Sequence, residues 1–136
     1  MAFEENIYSL SLAADASIAV YTGVPGQPGS AQPNSGFQYR FVKVTGKTQV
    51  GLCTAAADKA IGVLQSKPQM AGQAATVGIW GVSFVQAGGA VNPGDLVTAD
   101  AKGQGVKATD AATSRGVALT SAAKEGELIS VLLQVA

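Results

Sequence analysis

Very few side chains in this sequence are equipped for chemistry. There is no His, which removes the usual general base and the commonest metal ligand. The Ser and Thr hydroxyls therefore lack the imidazole that would activate one of them as a nucleophile. Lys67 in Ser66-Lys67-Pro68 and Lys43 in an alternating stretch read as solvated lysines, not as the base of a Ser–Lys pair. Asp95 and Asp100 flank Leu96-Val-Thr-Ala99 without calcium-loop spacing. Asx side chains so placed cap local backbone donors. Gly103-Gln-Gly105 lacks the lysine and helix of a phosphate loop. Cys53 is alone, so neither an intrachain disulfide nor a Cys-rich zinc site is available. Between Leu52 and Thr54 it reads as a small buried hydrophobe. The residues supply no catalytic constellation, no cofactor or metal set and no small-molecule substrate site, and we read the chain as not an enzyme.

Composition points to surfaces instead. The chain has 136 residues, enough for one domain with a real core. Only 13% are charged, about half the usual share, and 47% are apolar. Such a domain leaves much weakly polar surface, which often ends in an interface. Nine basic and nine acidic residues cancel, so the basic face of a nucleic-acid binder is not expected. The charge is uneven along the chain. Positions 1–39 hold Glu4, Glu5 and Asp15 and no Lys or Arg, a net of −3; the remainder nets +3. No signal-peptide pattern opens the chain, and no apolar run is long enough to span a membrane.

The elements follow from periodicity. Residues 1–22 predict one or two short strands, the firmer at Ile18–Thr22. Gly23–Gly36, with three Pro and four Gly in fourteen residues, holds neither helix nor central strand. Loops of that length are usually functional or disordered, so residues 1–36 are expected to form a partner-binding arm. Its candidate contacts are Glu4, Glu5, Asp15, Pro25, Pro28 and Pro33. Residues 37–136 are expected to form the β domain. Phe37 to Thr45 alternates like a strand, followed by strands at Thr48–Thr54 and Ala60–Gln65. Later strands fall near Leu96–Ala99, Gly105–Ala108, Gly116–Ser121 and Glu127–Val135. Short strands with Gly/Pro turns and no long helical period indicate an all-β sandwich or barrel.

The central stretch runs from Ala71 to Asp95. Val77, Ile79 and Val85 point to one face of a long strand; Trp80, Val82 and Phe84 point to the other. A strand apolar on both faces is buried on both, so the second face needs another sheet or another molecule. The final strand poses the same problem, with Ile129, Val131, Leu133 and Val135 opposite Leu128 and Leu132. Trp80, Phe84, Leu128 and Leu132 are therefore candidates for core or subunit interface. Asn92-Pro93-Gly94-Asp95 fits a type II turn. A shift of 54 residues places Gly51 on Gly105, Gly62 on Gly116, Gly72 on Gly126 and Val77 on Val131, the pattern of a duplicated β-unit.

Ala60-Ile-Gly-Val-Leu64, Ala71–Gly81, Val85–Thr98, Lys102-Gly-Gln-Gly105, Arg115–Leu119 and Glu127–Leu133 together resemble the capsid decoration, or cement, proteins of tailed bacteriophages. The resemblance spans roughly Arg40 to Val135 and rests on glycines and strand hydrophobics. It implies a β-sandwich or tulip-like β-barrel, here with an extended N-terminal arm. It also implies a place on the outer surface of the virion's head, over joints between major capsid protein subunits, often as a homotrimer. The chain would be made in the host cytoplasm and would bind neither membrane nor nucleic acid. The alternative is a phage tail, fibre or adhesin-type β-module that binds a host surface.

Overall fold

The computed structural model describes residues 2–19 and 37–134. They form nine strands: β1 (Glu5–Ala14), β2 (Phe41–Gly46), β3 (Gln49–Leu52), β4 (Ala60–Leu64), β5 (Ala74–Gln86), β6 (Leu96–Ala99), β7 (Gly105–Lys107), β8 (Gly116–Ala118) and β9 (Leu128–Leu133). One 3₁₀ turn, Ala111–Thr113, is the only helical element among them. Strand order is β1-β3-β2-β4-β5-β9-β8-β6-β7. β1 pairs with β3 in parallel and with β5 antiparallel, so the first five strands close into a barrel. Closure removes the open edges that a short-stranded sheet otherwise presents. The remaining strands continue from β5 and curl back, and a parallel bridge joins Ala87 to Gly105.

Two apolar clusters result. One joins Val42, Val50, Leu64, Ala75 and Val77 with Ala14 and Ile18. The other joins Phe41, Cys53, Val63, Val85, Val97, Ile129, Val131 and Leu133. Adjacent residues of β2 and β4 split between them: Phe41 and Val63 enter one cluster, Val42 and Leu64 the other. Side chains alternate along a strand, so these are the strands covered on both faces. Each large side chain so buried is worth about 1.5–3 kcal/mol relative to exposure. β5 is long enough to serve both clusters, Val77 in the first and Val85 in the second. Gly81, at φ +100°, interrupts it between them.

Several expectations need correction. The described part of residues 1–36, residues 2–19, is built into the domain. β1 lies within them and supplies a barrel strand, and Ala14 and Ile18 are fully buried. The firm N-terminal strand is this one; Ile18 packs from a turn, and 20–36 lie outside the described residues. The alternation of Phe37, Tyr39 and Phe41 does not make a strand. Residues 37–40 turn, and Tyr39 takes φ +66°, an uncommon conformation for a bulky residue. Its backbone is tied to two strands at once: its N–H donates to the Leu64 carbonyl at 2.7 Å, and its carbonyl accepts from Gln86 N–H at 2.8 Å. The turn at Asn92–Asp95 forms as predicted, with Gly94 at φ +89° and Asp95 N–H donating to the Asn92 carbonyl.

The second half of the sheet repeats the strand order of the first. β3-β2-β4-β5 and β7-β6-β8-β9 each run outside to centre, meeting at β5–β9. The pairs Val63↔Gly78 and Leu64↔Val77 recur 54 residues later as Val117↔Leu132 and Ala118↔Val131. Gly62 lies so near the backbone carbonyl of Gly78 that a Cβ would collide with it; Gly116 stands the same way to Leu132. We expect Gly62→Ala and Gly116→Ala each to cost about 1–3 kcal/mol, because backbone cannot yield as a side chain can. Gly89→Ala, which meets nothing within 4 Å, serves as control. Urea midpoints at unchanged slope measure the cost; a neutral Gly62→Ala variant would show that the strands can separate freely.

Candidate functional site

Among the described residues, no group of three or more His, Cys, Asp or Glu could hold a metal ion, and no helix is long and apolar enough to cross a membrane. Cys53 is fully buried. Burial, with Asp58 adding to it, pushes its thiol up to about 12, so it stays protonated and inert. A thiol reagent at pH about 8 is expected to modify Cys53 only after unfolding. Fast native-state labelling would contradict the packing described.

The feature that stands out is the outer face of β5, β9, β8 and β6. Directly paired residues in an antiparallel sheet share a face. The register therefore aligns Leu96, Val117, Leu132 and Val82 in one row across these four strands. Leu132 is 39% exposed, and Leu96, Val117 and Val82 are partly so. Two residues along β9 from Ser130, Leu128 is 41% exposed on the same face. On β5, Trp80 is 65% exposed, and its partner on β1, Tyr8, is 67% exposed. Exposed apolar groups in such number make this face the candidate contact surface, and Trp and Tyr are the side chains that most often anchor an interface.

Part of this face is already covered by the chain's own N-terminal residues. Phe3 brackets Ser130: its N–H donates to the Ser130 hydroxyl, and that hydroxyl donates to the Phe3 carbonyl at 2.6 Å. The Glu4 carboxylate accepts from Phe84 N–H at 3.3 Å and from the Ser83 hydroxyl at 3.4 Å. Ser130, a buried polar group on β9, thus obtains a partner for its hydroxyl, as buried hydroxyls must. Buried Ser83 on β5 is held mainly by Gln65 Nε2, which donates to it, and by the Phe84 carbonyl, both at 2.8 Å. Phe84 is half-buried and meets Tyr39 edge-on, with ring centroids 5.3 Å apart. Burial, and secondarily Glu4, raises the Tyr39 phenol above its ordinary value.

The predicted residues divide accordingly. Trp80, Leu128 and Leu132 are exposed rather than core, and among the described residues no second sheet packs on them. Phe84 is half inside. The sequence pattern separates Ile129, Val131 and Leu133 from Leu128 and Leu132 as found, the first three being buried. Glu5 is exposed on β1 opposite Val82. Asp15 is engaged internally, accepting from Ser17 N–H and Thr45 Oγ1, both at 2.8 Å. Pro25, Pro28 and Pro33 lie outside the described residues. Tyr8, Leu96, Val117 and Phe3 were not anticipated. They join the face only through strand register, which the sequence does not state. Asp95 and Asp100 have the turn roles expected: Asp95 accepts from Asn92 N–H, and Asp100 from Lys102 and Gln104 N–H.

No protein-family model matches the chain, and no curated protein is significantly similar to it. Among solved structures it is similar to the crystal structure of the N base of head fiber gp8.5 of bacteriophage phi29. The TM-score is 0.64 at 18% identity, over 96% of each chain. At that identity the likeness establishes a shared fold.

Proposed function

We propose that this protein is a structural component of a phage head. It binds the outer surface of the capsid, stabilises contacts between major capsid protein subunits, and assembles as a homotrimer through the outer face of β5, β9, β8 and β6. The observation that carries the reading is that face, with Trp80 65% exposed on a chain of low charge. A closed barrel is stiff enough to act as a clamp, and many copies on a repeating shell make weak individual contacts sufficient. The resemblance to decoration proteins and the fold shared with a head-fiber base both support a place on the head. The acidic residues 1–36 remain the proposed capsid contact, with Glu5 exposed and available.

A second reading is favoured by one observation: the neighbour is the base of a fiber. In that reading the chain roots a projecting appendage. Imaging purified particles separates the two. Decoration requires copies over the whole shell; a fiber base occupies a restricted set of positions. Co-sedimentation of the purified protein with heads that lack it tests head binding itself, and failure to co-sediment would sink both.

A further inference from the structure

A separate cleft of about 510 Å³ opens between the β3–β4 connection and the segment around the 3₁₀ turn. Its polar groups are Lys59, Thr113 and Arg115; its walls are Ala57, Ala60, Ile61 and Ala112. Thr113 and Arg115 stand 54 residues after Lys59 and Ile61, so corresponding segments of the two halves face one another here and each contributes one cation.

No acid lines the cleft, and the two nearest in sequence are engaged elsewhere. The Asp58 carboxylate accepts from Lys43 Nζ at 2.9 Å and Thr54 N–H at 2.8 Å, and chiefly that backbone bond, then Lys43, holds it below the ordinary carboxylate value. Asp110 caps the turn, accepting from Ala112 N–H at 2.9 Å. Lys59 is exposed and makes no ion pair among the described residues. Among the described residues Arg115 has backbone acceptors alone: the Asp58 carbonyl at 2.8 Å and that of Ser114 at 3.4 Å. Its Nε is buried without a partner.

We infer that this cleft binds an acidic peptide segment of the partner surface, a carboxylate side chain flanked by small apolar residues. Charge complementarity selects the carboxylate: exposed Lys59 is the cation that pairs with it, and Arg115, held by backbone carbonyls, adds a second positive charge at the cleft. The alanine and isoleucine walls select a ligand with an apolar body, and a free phosphate has none. The backbone N–H groups of a phosphate nest are not on offer either, since those of Ala112, Thr113 and Ser114 are already bonded within the turn. The assignment deepens the capsid-binding reading and rests on it for the partner's identity.

The test titrates ¹⁵N-labelled full-length protein with acetyl-Ala-Ala-Glu-Ala-Ala-amide, with the same peptide carrying Gln, and with inorganic phosphate. Saturable shifts at Lys59, Ile61, Thr113 and Arg115 with the Glu peptide alone are expected, weakening as salt is added. Lys59→Glu, at an exposed position that leaves the fold intact, should weaken the Glu peptide about tenfold or more. Equal response to the Gln peptide, response to phosphate alone, or no response overturns the proposal. Lys59→Glu should also reduce co-sedimentation with heads while leaving self-association unchanged. If the wild type does not bind heads but the Glu peptide still titrates the cleft, the capsid reading fails and the acidic-peptide site stands.

Discussion

A chain lacking residues 1–14 is expected not to fold. Seven residue pairs join β1 to β5, and a parallel contact joins it to β3. Deleting it opens the barrel along both strands. Each ladder hydrogen bond lost contributes about 0.5–1.5 kcal/mol net. Ala14, buried, and Leu12, packed against the first cluster, add their burial. Ile7, which packs beside Gly78 on β5, adds more, and the Ser130 hydroxyl loses the partner that Phe3 provides. The sum is comparable with the whole stability of a small domain, about 5–15 kcal/mol. Far-UV dichroism, amide dispersion and cooperative urea unfolding read the outcome. A truncated chain that unfolds cooperatively with the wild-type midpoint would show that β1 is an appendage after all. Adding peptide 1–14 in trans should restore structure if the loss is that of a strand. Capsid binding by the N-terminal residues must therefore be tested by substitution, Glu5→Gln first, because truncation removes the fold along with the contact.

Strands β3 to β9 were legible in the sequence because short alternating runs ended in turns whose chemistry is local, such as Asn92-Pro-Gly-Asp. Tyr39 was misread because its φ of +66° is fixed by hydrogen bonds to Leu64 and Gln86, residues far along the chain. β1 was undervalued because Glu5–Ala14 looks weak alone; its partners Val82, Trp80, Val77 and Ala75 give it its place. The two-faced apolar pattern of β5 points to burial on both faces, whereas β2 and β4 carry that role with far shorter apolar runs. The 54-residue spacing was legible as glycines. The repeated register, and the matching approach of Gly62 and Gly116 to a neighbouring carbonyl, support our proposal that the chain holds two copies of one β-unit. The cationic cleft was not legible, since Lys59 and Arg115 meet only through folding.

Replacing Trp80 by Ser is expected to leave the monomer's stability nearly unchanged and to disrupt assembly. Were Trp80 core, truncation would cost about 3–5 kcal/mol. At 65% exposure it has little burial to lose, and surface substitutions usually stay within about 0.5 kcal/mol. An aromatic anchor in an interface behaves oppositely, costing at least about 2 kcal/mol of association, roughly thirtyfold. Leu132→Ser should act in the same sense and more weakly, since its side chain is smaller and its row partners Val82 and Val117 remain. Val44→Ser removes another exposed apolar group, on β2, away from the face, and should change neither property. Equilibrium sedimentation over a wide concentration range, paired with urea unfolding, separates the cases. A wild type that stays monomeric throughout rejects a preformed trimer. A Trp80→Ser variant destabilised as a core truncation would be shows that the indole works within the chain. A variant as stable as the wild type but monomeric, while wild type and Val44→Ser sediment as trimers, assigns the face to self-association. Head binding measured on that monomeric variant then tells whether the trimer is needed on the shell: loss of co-sedimentation means that the three copies bind as one unit, because one copy's contacts are too weak without the avidity of its neighbours.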